Sequence, residues 1–266
     1  MSVLDLADAL RLLRDGRIDV EGRLVDASNA TLFGSVGLDG LSAHCVYKPR
    51  AGERPLWDFP DGTLAAREVG AYAVSEATGW AVVPPTVLRD GPFGPGMCQL
   101  WVETDETVEL VDVVPRGSVP DGWLEVLDAL GPGGRPVTLA HADDPRLRRM
   151  ALFDAVVNNA DRKGGHVLPT ADGRVHGIDH GVCFSVENKL RTVLWGWADR
   201  PLDSDDADVL RRLERDLRGG PLCATLSGLL TRAEVAATAA RVRRLLSAGC
   251  YPLPVRGWPA IPWPPF

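Results

Sequence analysis

The sequence predicts an α+β chain of two lobes, a small β-rich one over residues 1–103 and a mainly helical one over residues 104–266. Three observations predict it. Short apolar runs punctuated by glycine and proline fill residues 22–103, interrupted by a single helical repeat. A Gly/Pro-rich passage ending in Gly131-Pro132-Gly133-Gly134 follows. From Asp144 onward, capped helical patterns take over.

Leu6, Leu10 and Leu13 recur at helical spacing ahead of Gly16, which predicts a short opening helix. Between Gly22 and Lys48 the runs Thr31-Leu32-Phe33 and Ala43-His44-Cys45-Val46-Tyr47-Lys48 are separated by Gly34, Gly37, Asp39 and Gly40 as turn material. They predict a hairpin entered through the polar loop Ser28-Asn29-Ala30. Asp61-Gly62-Thr63 predicts a helix start, Leu64, Ala65, Val69, Tyr72 and Ala73 its apolar face, and Gly79 its end. Val82-Val83 and Val87-Leu88 flank Pro84-Pro85. Met97 to Val102 reads as a buried strand, and the first lobe ends near Glu103.

In the passage 104–143, Trp123, Leu124, Leu127 and Leu130 predict a short helix and Gly131 to Gly134 a loop. Asp144 as N-cap and Pro145 in the first turn open a helix that carries Leu147, Met150, Ala151 and Val157 inward. Two more helices are expected, near residues 207–217 and from Thr231 to Leu246, where Thr231 and Glu234 have capping-box spacing. The Pro-rich tail after Tyr251 is expected to be irregular, either clamped by Trp258 and Trp263 or mobile.

Composition narrows the function. With 29 basic and 36 acidic residues the net charge is −7, which argues against affinity built on neutralising a nucleic-acid backbone. The five cysteines are scattered and never form C-x-x-C, so neither a disulfide framework nor a thiolate zinc site is expected, and a reducing cytoplasmic setting fits. No apolar run reaches the roughly 18–20 residues of a membrane span, and the first 15 residues lack the basic and apolar regions of a secretion signal.

Phosphoryl transfer needs a cation on the nucleotide phosphates, carboxylates for a divalent metal, and a group that orients or deprotonates the acceptor. Lys48 closes a strand, and Glu68 on the next helix is placed to hold it extended. The segment Asn158 to Leu168 leaves a helix, crosses a polar Gly-rich turn containing Asp161 and Arg162, and enters an apolar strand. Ile178-Asp179-His180-Gly181 follows the turn Asp172-Gly173, so Asp161 and Asp179 are expected on the two arms of one hairpin. Each acid alone reads as a turn former; the ordered set reads as a site.

That set resembles the phosphatidylinositol 3/4-kinase-like atypical kinases, and within them the type II phosphatidylinositol 4-kinase branch, over roughly residues 22–200. The resemblance rests on Tyr47-Lys48-Pro49, Arg67-Glu68-Val69, Gln99 to Glu103, Asn159-Ala160-Asp161-Arg162 and Ile178-Asp179-His180-Gly181. It implies a protein-kinase-like fold. By it, Lys48 binds ATP phosphates with Glu68 behind it, Val102 and Glu103 form the adenine hinge, Asp161 is the catalytic acid and Asp179 the ligand for Mg²⁺ or Mn²⁺. Arg162 would neutralise charge in the loop, and Ser28 and Asn29 would sit where the phosphate-covering loop lies.

One position departs from that branch: His166 stands where a metal-binding Asn is expected. Imidazole suits Mn²⁺ better than hard Mg²⁺. Either His166 changes the metal preference, or Asn158 or Asn159 takes over, or turnover is weak, which leaves a non-catalytic pseudokinase as the alternative. The acceptor is open, with a protein or small-molecule hydroxyl favoured over an inositol lipid, and the segment 183–197 stands where an acceptor would bind. A zinc site from His166, His176, His180 and Asp179 is the rival chemistry, although His176 and His180 straddle a strand and turn rather than one helical face. Neither G-x-S-x-G nor a Walker loop occurs.

Overall fold

The computed structural model describes residues 4–24, 30–54, 56–59, 63–255 and 257–266. Helix α1 (Leu6–Asp15) begins where the Asp5 carboxylate accepts the Asp8 amide and ends at Gly16. It buries Ala9, Leu12 and Leu13; Leu6 of the expected stripe is exposed. A five-stranded antiparallel sheet follows in the order β1-β2-β3-β5-β4, made of β1 (Arg17–Arg23), β2 (Leu32–Leu38), β3 (Leu41–Pro49), β4 (Thr86–Gly91) and β5 (Gly94–Leu100). The β2–β3 turn is Asp39-Gly40, both with positive φ.

Gly34 and Gly37 are not turn residues; they lie within β2. Gly34 is required there because a Cβ would collide with the Asp19 carbonyl of β1. Strand β1 carried no clear periodic signal, since Ile18 is its single buried side chain. Beneath the sheet a small core gathers Leu12, Leu13, Ile18, Val36, Cys45, Tyr47, Val87 and Cys98.

Helix α2 (Leu64–Thr78) starts at Thr63 and stops at Gly79, whose φ of 71° is left-handed. The expected lead-in residues Asp61 and Gly62 lie outside the described residues. Glu53 supplies a second cap, accepting the amides of Leu64 at 3.0 Å and Ala65 at 2.8 Å, donors that every helix start leaves open. The helix is buried around most of its circumference because it packs against both β4 and the helical lobe.

The expected helix at 123–130 is instead a strand. A second antiparallel sheet, in the order β6-β8-β7, contains β6 (Val111–Pro115), β7 (Trp123–Leu130) and β8 (Pro136–Ala142), and Gly131 to Gly134 turn β7 into β8. The register shifts between Glu125 and Leu127. That irregularity breaks strict alternation and leaves the apolar residues at a spacing that imitates a helix.

Helix α3 (Pro145–Val157), capped by Asp144, leads to the short hairpin β9 (Val167–Pro169) and β10 (Val175–Gly177). Helices α4 (Ser204–Leu217), α5 (Pro221–Ser227) and α6 (Arg232–Ala248) complete the lobe, with the Thr231–Glu234 capping box formed. The seven-residue α5 is too short for periodicity to announce it. A large core joins Leu147, Met150 and Phe153 to Val74, Leu139, Leu210 and Val242. The chain is thus a bilobal α+β fold with two cores. No helix among the described residues is long and apolar enough to cross a membrane.

The tail is irregular and lies against the helical lobe. The Trp258 indole donates to the Lys189 carbonyl, the Trp195 indole to that of Ala260, and the Gly164 amide to that of Pro265. Trp258 is the clamp; Trp263 is 83% exposed.

Candidate active site

Strand β3 is paired on both edges, by β2 and β5, so the backbone of Lys48 is fixed at its end. Buried helix α2 presents Glu68 to it. The Lys48 ammonium lies 2.7 Å from Glu68 Oε1 and 2.9 Å from Asp179 Oδ1. The other Glu68 oxygen accepts the His180 amide at 2.8 Å, so one buried carboxylate ties the lysine strand to the turn carrying Asp179. Burial pulls the Lys48 ammonium down, but Asp179 and Glu68 more than offset it and hold its pKa above the ordinary value. Lys48 in turn holds the Asp179 carboxyl well below the usual carboxylate range.

Helix α3 ends at Asn158, whose φ of 56° turns the chain out of the helix. The Asn159 amide nitrogen donates to Asp154 at 3.0 Å, and its oxygen accepts the Asp161 amide at 2.9 Å. Arg162 is fully buried and grips Asp154 with two bonds of 2.9 Å. Its remaining donors reach the carbonyls of Ile178 at 3.1 Å and His166 at 3.3 Å, and His180 Nε2 at 2.7 Å. Asn159 and Arg162 therefore build the turn from inside. They do not face the cleft.

The Asp161 side chain does, with Lys163 Nζ 3.6 Å away. Burial raises its carboxyl above the usual range, and Lys163 counters this in part. Asp179 adopts a φ of 61°, a left-handed backbone that is costly for a residue with a side chain and that the surrounding contacts must enforce.

His166 Nδ1 lies 3.0 Å from the Asp161 carbonyl oxygen. A carbonyl only accepts, so Nδ1 carries the proton and the lone pair sits on Nε2, 3.7 Å from Asp179 Oδ2. Burial lowers the His166 pKa to about 4, so the ring is neutral near pH 7. Two electron-pair donors thus face each other, a donor set that fits a divalent cation shared with nucleotide phosphates. Among the described residues no three His, Cys, Asp or Glu side chains could hold a metal by themselves, so the zinc rival has no site.

Lys48, Glu68, Asp161 and Asp179 line a cavity of about 390 Å³ together with Phe59 and Arg191; His166 is not among its lining residues. Val102 and Glu103, in the stretch leaving β5, are not among its lining residues. Ser28 and Asn29 lie outside the described residues.

No family model matches the chain. It is 50% identical over 268 residues to protein Rv2133c of Mycobacterium tuberculosis (strain ATCC 25618 / H37Rv), with 97% of this chain and 96% of that protein covered. The chain belongs to the Rv2133c family. This Rv2133c-family chain is also 27% identical to phosphatidylinositol 4-kinase gamma 4 of Oryza sativa subsp. japonica and 28% identical to its Arabidopsis thaliana namesake. Each match covers 58% of this chain and little more than a quarter of the plant protein, 27% and 28%.

Among solved structures, the Golgi casein kinase with Mn/ADP bound superposes with a TM-score of 0.56 at 13% identity, covering 98% of this chain and 80% of the other. Hydra Fam20 with sugar gives 0.54 at 14% identity, covering 91% and 87%. The fold is kinase-like. The resemblance holds at the level of the fold and does not single out the phosphatidylinositol 3/4-kinase branch.

Sequence reasoning missed the groups that hold the site together. Asp154 is one, although it falls on the inward stripe of α3 with Leu147, Met150 and Ala151, where a charge signals a buried partner. Glu53, capping α2 from 11 residues away, had no local signal. Lys189 is a third: its ammonium lies between the rings of Trp57, Phe59 and Trp258 at 5.3–5.5 Å and pairs with Asp58 at 3.2 Å.

Proposed function

We propose that the chain is an ATP- and divalent-metal-dependent phosphotransferase acting on a hydroxyl acceptor. The observation that carries this reading is the convergence of Lys48, Glu68 and Asp179 through contacts of 2.7 and 2.9 Å on one cavity that Asp161 also lines. Phosphoryl transfer asks mainly for positioning and charge stabilisation, and these groups supply both.

Lys48, kept extended by Glu68, binds the nucleotide phosphates. Asp179 Oδ2 and His166 Nε2 would hold the metal, which supplies positive charge against the phosphate oxygens. Asp161 accepts the proton of the acceptor hydroxyl as its oxygen bonds to the γ-phosphorus and the bond from that phosphorus to the β,γ-bridging oxygen breaks, releasing ADP. Arg162 acts as a positioning residue beneath Asp161. The acceptor is a soluble hydroxyl compound rather than a membrane lipid, in keeping with a net charge of −7.

Nucleotide binding by calorimetry and ADP release with Mg²⁺ or Mn²⁺, compared with Asp161→Ala and Asp179→Ala, test the proposal. Binding with turnover abolished in Asp161→Ala is the expected result. A specific observation favours a second reading, a nucleotide-binding protein without turnover: His166 occupies a metal-side position where the resemblance expects Asn. Equal, background-level ADP release from wild type and both variants, with binding intact, would establish that alternative.

A further inference from the structure

Arg191 lines the same cavity as Lys48 and Asp161. Its backbone is fastened to the turn on both sides of Asp161: the Arg191 amide donates to the Asn159 carbonyl at 2.9 Å, and the Arg162 amide donates to the Arg191 carbonyl at 3.0 Å. The side chain is fixed as well. Nε donates to the Ala160 carbonyl at 2.5 Å, and the guanidinium lies 5.5 Å from the centre of the Trp258 ring.

So anchored, the guanidinium has no carboxylate within ion-pair distance among the described residues, although acids are near. Each of those has another partner. Glu53 caps α2, Asp58 pairs with Lys189, Glu68 and Asp179 pair with Lys48, and Asp161 lies beside Lys163. Arg191 shares its cavity with Asp161, the group that receives the acceptor hydroxyl, and its charge draws that carboxyl down. A planar fork with Nε engaged keeps its two terminal nitrogens for an anion, a geometry that suits carboxylate or phosphate oxygens. The remaining walls include Leu56, Phe59, Leu64 and Val182, and about 390 Å³ is room for a small molecule rather than a folded polypeptide.

We propose that the acceptor is a small hydroxyl compound carrying a phosphate or carboxylate, and that Arg191 binds that anionic group while Asp161 faces the hydroxyl. This rests on the phosphotransferase reading and adds the chemical class of its acceptor.

The test uses matched acceptors: glycerol against glycerol 3-phosphate, inositol against inositol monophosphate, and a hydroxy acid against its amide, with ATP and Mn²⁺. Wild-type enzyme is expected to prefer the anionic member of each pair by about 10- to 100-fold in kcat/KM, the range a charge-assisted contact supplies. In Arg191→Gln that ratio is expected to collapse towards one, mostly through KM, with Arg191→Lys intermediate and ADP affinity unchanged. Loss of the same factor for both members of a pair, or a wild-type ratio near one, overturns the proposal.

Binding of glycerol 3-phosphate to the ADP-loaded protein is read separately by calorimetry. Arg191-dependent binding without any transfer upholds the anion site and sinks the phosphotransferase reading. Transfer without charge preference does the reverse. Turnover of phosphatidylinositol in vesicles, or of an acidic peptide, with none of the free anionic compounds used, also overturns the proposal.

Discussion

Arg162 and Asp154 form a two-pronged ion pair in which both side chains are 0% exposed, whereas Lys48 and Asp179 meet through one bond, with side chains 20% and 50% exposed. The two pairs adjoin, since Arg162 also donates to the carbonyl of Ile178 beside Asp179, and their exposure separates what they do. The buried pair cannot be opened without leaving a charge in the interior, so it acts as a frame. The half-open pair is screened by water and by competing ions, so phosphate and metal can replace its partners at modest cost. Building strength and chemical availability are thus assigned to different residues of one site.

The sharpest way to break that comparison is Asp154→Ala, which leaves the Arg162 guanidinium buried without its carboxylate and is expected to cost about 3–5 kcal/mol of stability. Urea unfolding measures it. The double variant Asp154→Leu/Arg162→Met removes both charges and is expected to regain most of that loss. If Asp154→Ala unfolds at the wild-type midpoint, the frame role is wrong. Asp161→Asn tests the opposite side: stability should change by no more than about 0.5 kcal/mol, while phosphate transfer falls by about 10²- to 10⁴-fold with nucleotide still bound.

A third contrast separates the frame from the ring box around Lys189, whose partners Asp58 and Phe59 line the cavity. Lys189→Met keeps the apolar stem inside the ring box of Trp57, Phe59 and Trp258 but removes the charge that faces those rings and Asp58. The expected loss is about 1–2 kcal/mol, with increased protease sensitivity in the tail around Trp258 ahead of global unfolding. Uniform destabilisation with an unchanged tail would assign Lys189 to the core instead.

The legibility of the sequence follows the same division. Lys48, Asp161 and Asp179 could be picked out because each sits at a strand end or in a turn whose local pattern announces it and because their order along the chain is informative, whereas Glu68, inside α2, had no such local mark. Helices α2, α3 and α6 were legible through their caps, Thr63, Asp144 and Thr231. What escaped depends on distance in sequence. Strand β7 exists because β8 pairs with it, and Glu53 reaches its helix across 11 residues. Arg162 looked like a cleft residue because its neighbour Asp161 is one. Its fate was decided by Asp154 eight residues earlier, a charge on an apolar stripe that should have been read as a call for a buried cation.

His166→Asn gives the smallest expected effect and bears directly on the half-open pair. The variant replaces an imidazole lone pair with an amide oxygen, a harder donor, so activity with Mg²⁺ relative to Mn²⁺ should rise by about tenfold if His166 contacts the metal. The pH profile then separates His166 from Asp161. A base must be ionised to accept a proton, and burial raises the Asp161 carboxyl, so turnover should fall on acidification at a higher pH than an exposed aspartate would give. If Asp161 sets that acid limb, His166→Asn leaves it in place while the metal ratio moves. If the limb shifts with the substitution, protonation of His166 itself limits turnover, and the proton-accepting role belongs elsewhere.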